Sequence, residues 1–235
     1  MDYGLLLLGQ YERERLLGLA QWAEAHEFQH LWYADEKFYR DPYVSLAVIA
    51  ENTERIHLGT CVTDPFTRHP AITAMAMGTL DDLAGGQRAN LGIGAGFSGL
   101  EAMGIRRKKM VAALREAIEL IRRLWQGETV TVEGKVISFY NGQLDFEARP
   151  DIPITIASAG PQILRLAGEV ADMVMLGDLA GVKEIENALA AVAEGAARAE
   201  ERALDAATEQ LTHLLPGVLD GPGGADAEAG AAPTG

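Results

Sequence analysis

The chain has one cysteine, Cys61, in 235 residues. It can close no internal disulfide, and it cannot build a thiolate metal cluster on its own. Histidine is scarce too: the five, at positions 26, 30, 57, 69 and 213, fall in no HxxxH or HExxH spacing, which argues against a metal centre. Long apolar runs are missing. The longest, GLLLLG at 4–9, is far too short to span a bilayer, and its acidic flank is unlike the basic start of a secretory signal. Cations are outnumbered, 20 Lys and Arg against 34 Asp and Glu, for a formal net charge of −14. Binding to a nucleic acid needs clustered cations to displace counterions, so that partner class is excluded. These absences leave a cytoplasmic protein whose partner is a small molecule, with neither nucleic acid nor membrane.

What is present is the composition of a soluble globular protein, 48% hydrophobic and 23% charged. Short apolar runs predict strands at 3–8, 30–34, 56–62, 89–93, 154–157 and 173–176. Helical periodicity fills 12–27, 42–52, 70–83, 107–125 and 161–168, and Pro42, Pro70 and Pro161 suit a first helical turn. Near-continuous apolar strands alternating with helices predict a parallel sheet covered by helices. Residues 1–180 would form this unit, with a hairpin inserted at about 127–150; residues 181–215 read as a long amphipathic helix and 216–235 as a disordered tail.

Polar and small residues collect where the strands stop: ADE at 34–36, TCVTD at 60–64, GIGAG at 92–96, SAG at 158–160 and GD at 177–178. In either an open α/β sheet or a closed barrel, ligands bind at these carboxyl ends. GAGFSG satisfies GxGxxG, but the next predicted helix starts too late and the acids about 20 residues on fall inside it, so a dinucleotide turn is discounted. The glycines would let a flat ligand approach the backbone, and SAGPQ offers free amides at a helix start that suit a phosphate. The basic run Arg106–Lys109 reads either as a solvated first helical turn or as a contact for an anionic ligand.

The stretch from ADEKFYRDPYVSLAVIAENTERIHLGTCVTDPFTRHPAITAMAMGTLDDLAGG to GIGAG, with IPITIASAGPQILRLAGEVADMVMLGD further on, resembles the luciferase-like monooxygenase superfamily. Within it the sequence is similar to coenzyme F420-dependent oxidoreductases of the methylenetetrahydromethanopterin reductase type. The resemblance implies a TIM-barrel-like (β/α) fold with the deazaflavin at the C-terminal ends of the strands; six strand candidates imply a barrel truncated to about six. It also implies a non-prolyl cis peptide joining Cys61 to Val62, pressed against the deazaflavin ring. The cofactor-binding set it implies is Asp35, Thr60, Cys61, Val62, Thr63, Gly94, Ala95, Gly96, Ser158, Ala159, Gly160, Pro161 and Gln162. Asp64 would line the pocket beside Thr63. The side chains proposed for chemistry are Asp35 and the Asp81–Asp82 pair, which would tune a substrate proton if buried or sit solvated at a helix end.

The implied activity is hydride transfer between reduced F420 and a small or pterin-like substrate. FMN-dependent monooxygenation and non-catalytic flavin binding are the alternatives. An open parallel edge is a liability, which predicts a homodimer.

Overall fold

The computed structural model describes residues 2–177 and 180–214, with side chains through 205; the tail read as disordered lies outside the described residues. Six strands, β1 (Gly4–Leu7), β2 (His30–Tyr33), β3 (His57–Thr60), β4 (Ala89–Ile93), β7 (Ile154–Ala157) and β8 (Met173–Met175), lie parallel in that order in one curled sheet. Between β4 and β7 stands an antiparallel hairpin of β5 (Val130–Glu133) and β6 (Ser138–Gly142). The expected partial (β/α) barrel is therefore present as a half-barrel of six strands.

Alternation within each strand sets the two faces. Leu31 pairs with Leu58, and Leu91 with Ile154; these four face the helices in one buried core. Trp32 pairs with Gly59 and Gly59 with Asn90, which places them on the concave inner face. The inner face is tightly curved at its C-terminal end: Cys61 Sγ lies 3.4 Å from Met175 Sδ, although β4 and β7 stand between their strands.

The covering helices are α1 (Arg13–Ala25), α2 (Pro42–Ala50), α3 (Pro70–Leu83), α4 (Met110–Trp125) and α5 (Pro161–Val170). Asp41 caps α2 by accepting from the amides of Tyr43 and Val44, and His69 caps α3 by accepting from Ala71. The basic run does not open a helix. Lys109 sits at φ 51°, in the left-handed region, so Arg106–Lys109 form a loop and α4 starts only at Met110.

The last helix, α6 (Val182–Leu214), lies on the outside of α5. The two backbones nearly touch: a Cβ on Gly168 would overlap the Val192 carbonyl, and one on Gly195 would overlap the Arg165 carbonyl. This helix covers α5 and leaves β8 without a strand neighbour on its outer side among the described residues. No described helix is long and apolar enough to cross a membrane.

Candidate active site

Among the described residues, the loops after β2, β3, β4 and β7 converge at the C-terminal ends of the strands. The Cys61–Val62 peptide is cis and lies between two points at which the chain bonds to its neighbours, the Cys61 amide donating to the Tyr33 carbonyl and the Thr63 amide to the Gly92 carbonyl. Gly92 in β4 and Gly94 just after it make room for it: a Cβ on Gly92 would overlap the Thr60 carbonyl, and one on Gly94 would come 2.7 Å from Val62 Cγ2. That is a different use from the one the sequence suggests, because these glycines admit a neighbouring strand rather than a ligand directly. Gly94 also abuts the Ala157 carbonyl, at 3.3 Å from its would-be Cβ, which brings the ends of β4 and β7 together.

The result is a ledge of backbone raised into the concave face. Cys61 and Val62 are half-exposed on it, whereas Thr60, Thr63 and Asp64 are buried behind it. Of the expected site residues Thr60, Thr63 and Asp64, the side chains are thus buried, and they stand behind the ledge rather than on it. Thr60 Oγ1 donates to the Gly92 carbonyl at 2.7 Å and accepts from the Gly92 amide at 3.2 Å, so its hydrogen-bonding capacity is spent within the wall. Thr63 pairs with Ile93 on the helix side, and its hydroxyl approaches Tyr43 without a completed hydrogen bond. Burial pushes the Tyr43 phenol up to about 12, so that group stays protonated through the neutral range.

Trp32 forms the floor below the ledge. Its six-membered ring lies across Gly59, where a Cβ would overlap it, and its indole nitrogen edge reaches Gly4. His30 and His57 stack beneath it, with ring centroids 5.3 Å apart. Burial first, and then the neighbouring His57, lowers the His30 pKa. Among the described residues no group of three His, Cys, Asp or Glu could hold a metal ion.

Asp35 stands at the rim beyond β2 and pairs with Lys37 at 2.8 Å; the same ammonium reaches Asp64 at 3.1 Å. Burial raises the Asp64 pKa, but the Thr67 hydroxyl and amide, the Lys37 charge and the Phe66 amide outweigh it and hold the carboxyl below its ordinary range. The Cys61 thiol goes the other way, pushed up by burial alone, which disfavours the thiolate that nucleophilic chemistry would need.

Asp81 and Asp82 are not part of this constellation. Asp81 lies at the opposite end of the sheet, where its Oδ1 accepts from the amides of Gln87 and Ala89 at the start of β4 and its Oδ2 pairs with Arg149 at 2.8 Å. Asp82 is exposed beside it. Of the expected pair, Asp81 is tied to the start of β4, away from the strand ends where the other expected residues collect, since strand starts and strand ends occupy opposite mouths of the sheet.

At the end of β7, Ser158 Oγ accepts from the Gly160 amide at 3.0 Å, and Ala159, Gly160, Pro161 and Gln162 are exposed at the start of α5. The Gln162 amide falls in the first helical turn, where no helical carbonyl is available to it. Ala95 and Gly96 are half-exposed on the neighbouring loop, and Arg107 Nη1 donates to the Gly96 carbonyl at 2.6 Å. The basic run therefore engages the glycine loop through Arg107.

A flat ring system suits the ledge: its surface is peptide backbone with an apolar side chain, its floor is an indole, the Asp64 carboxylate is buried behind it, and Asp35 and Lys37 stand at the rim. Nothing in the sequence pattern marks Trp32 or Met175 as part of this site. Lys37 leaves a signal there, as the cation two positions after a strand-end acid.

Comparison with known proteins places this geometry. The profile of the Luciferase-like monooxygenase family matches residues 4–214. A 5,10-methylenetetrahydromethanopterin reductase from Methanolobus tindarius is 38% identical over 200 residues, covering 85% of this chain and 60% of the relative. An F420-dependent glucose-6-phosphate dehydrogenase from Beutenbergia cavernae is 41% identical over 169 residues, covering 68% of this chain and 49% of the relative. The solved structure of the coenzyme F420-dependent tetrahydromethanopterin reductase from Methanopyrus kandleri superposes with a TM-score of 0.79 at 30% identity, over 85% of this chain and 62% of that one. The chain thus spans about half to three-fifths of the length of these relatives. With the match running through all six parallel strands and on into α6, the chain belongs to the luciferase-like monooxygenase family.

Proposed function

We propose that the chain is an F420-dependent oxidoreductase that moves a hydride between a reduced deazaflavin and a small or pterin-like substrate. The observation that carries this reading is the uncharged backbone ledge at Cys61 and Val62, seated on Gly92 and Gly94 and floored by Trp32. The similarity to proteins named as F420-dependent reductases and dehydrogenases supports the choice of deazaflavin.

Hydride transfer needs donor and acceptor carbons held about 3 to 3.5 Å apart with water kept out. The deazaflavin, when bound, supplies the ring carbon that carries the hydride. Cys61 and Val62 would support the ring, and Trp32 would close the space beneath it to water. Ala95 and Gly96 on one side and Ser158 to Gln162 on the other would hold the phosphate-bearing tail, with the amides at the start of α5 facing its charge. Asp35 would orient the ring edge nearest β2.

Titrating the protein separately with F420 and FMN, followed by fluorescence and absorbance, tests this. A saturable one-to-one response to F420 is expected. A response to FMN alone would move the reading to a flavin-dependent monooxygenase, and a response to neither would overturn it. Among the described residues β1 and β8 have no strand on their outer sides, which supports a homodimer, for which sedimentation should give about twice the 25.2 kDa chain mass.

A further inference from the structure

We infer that Lys37 is a positioning residue of this site: one ammonium ties the carboxylates of Asp35 and Asp64 together and seats the glycine loop at 94–99 over them. Only the identity of the ligand in the test below rests on the deazaflavin reading. The tie itself is read from contacts within the chain.

Lys37 Nζ lies 2.8 Å from Asp35 Oδ1 and 3.1 Å from Asp64 Oδ2, with the lysine and Asp35 side chains 11% exposed and that of Asp64 1%. Asp64 is a fixed post. Its Oδ1 accepts from the amides of Phe66 and Thr67, and its Oδ2 accepts from the Thr67 hydroxyl. Asp35, in contrast, has Lys37 as its ion-pair partner among the described residues. Lys37 therefore transmits the fixed position of the β3 loop to the β2 loop, which carries the rim carboxylate.

The lysine stem does a second job. Gly99, at φ +70°, packs so closely on it that a Cβ there would overlap Lys37 Cβ. Gly96, at φ +67°, packs on Asp64, with a would-be Cβ 3.0 Å from Asp64 Cγ. The glycine loop thus rests on the ion triad at two points, and Arg107 holds it from the far side through the Gly96 carbonyl. Without the ammonium, the Asp35 carboxylate would face the fixed Asp64 carboxylate in a poorly hydrated pocket, and their repulsion would push away the β2 loop that carries the lysine stem under Gly99.

The full chain carrying Lys37→Met, Lys37→Gln or Lys37→Arg tests the inference with two readouts. The first is amide hydrogen exchange without ligand. K37M should speed exchange at 95–99 at least tenfold while leaving the amides of β1 to β4 unchanged, and K37R should stay within about threefold of the parent. The second is F420 affinity by fluorescence titration, where K37M should bind at least tenfold more weakly and K37R within about threefold. Unchanged exchange at 95–99 in K37M overturns the inference, as does a uniform rise across the whole sheet, which is the signature of general destabilisation. If K37M does not fold, K37Q against K37R decides, since equal exchange in that pair would also overturn it. A parent chain that ignores F420 while K37M still loosens the loop would sink the deazaflavin reading and leave the tie intact.

Discussion

The helices of the first four βα units meet their sheet through large side chains, whereas the last helix meets its neighbour through missing ones. From β1 to α4 the contact layer holds Leu31, Tyr33, Leu46, Ile49, Leu58, Met77, Leu91, Ile118 and Trp125, all almost fully buried in one cluster. Between α5 and α6 the buried layer among the described residues is Leu164, Ala188 and Ala191, and the approach depends on Gly168 and Gly195. Apolar area scales with side-chain size, so the first region gains far more from burial. The second relies on backbone proximity and on arginine–glutamate pairs at its margin: Arg165 with Glu194, Arg198 with Glu194, and Arg202 with Glu169. The site draws on both. Its ledge belongs to the large-residue region, and the helix start at Ser158 to Gln162 belongs to the small-residue one.

The deepest break should come from the first region. Asp81 is buried, pairs with Arg149 and accepts two backbone amides, so Asp81→Asn leaves a partly buried guanidinium with only Asp151 and the backbone as partners. A loss of about 3 kcal/mol in denaturant unfolding is expected, spread over the whole sheet. Acid sharpens this. Burial raises the Asp81 pKa, but the Arg149 guanidinium and the amides of Ala89 and Gln87 outweigh it and hold the folded value below the ordinary one. Such a group contributes its full stability above its unfolded pKa and loses it as pH falls through the depressed folded value. The parent should therefore lose stability on acidification faster than the variant. Parallel acid limbs for the two proteins would contradict the pairing.

Much of the first region was legible in the sequence because its logic is local. A strand buried on both faces reads as an apolar run, and a proline at a first turn marks a helix start; hence β4 at 89–93 and α3 at 70–83 are found at the expected residues. The site was legible only in outline. Which of residues 60–64 face the hollow depends on where β3 leaves the sheet, and a bulge shifts the parity that alternation would assign. The partner of Asp81 lies 68 residues away, and nothing local in LDDLAGG points to it. The late start of α4 turns on a single left-handed residue, Lys109, a conformation that its residue type does not announce.

A smaller and more local break is expected in the second region. Gly195→Ala places a methyl group on the Arg165 carbonyl, and neither helix backbone can yield without separating. Forced overpacking of this kind costs about 1 to 3 kcal/mol. Because the layer it disrupts is a satellite of the core, the loss should stay there: hydrogen exchange should accelerate through 182–205 while the amides of β2 and β3 keep their protection. Exchange that accelerates equally in β2 and β3 would mean that the two regions unfold as one, and the contrast drawn above would fail.

The smallest effect should lie at the seam. Glu169 on α5 accepts from Arg115 on α4 at 2.5 Å and from Arg202 on α6 at 2.7 Å, and its side chain is 5% exposed although both arginines reach into solvent. Burial raises its pKa, but the two guanidinium partners outweigh it and hold the carboxyl below its usual range. Glu169→Gln keeps the shape and removes the charge. Since solvent screens the arginines, about 1 kcal/mol is expected from denaturant midpoints, shrinking as salt is raised. The informative comparison is with Gly195→Ala in one chain. If Glu169 holds α6 to the first region through Arg202, its loss should add little once α6 has separated, and the double variant should fall short of the sum of the two singles. Strict additivity would place the role of Glu169 in its bond to Arg115 alone, and would leave the glycine crossing as the anchor of the last helix.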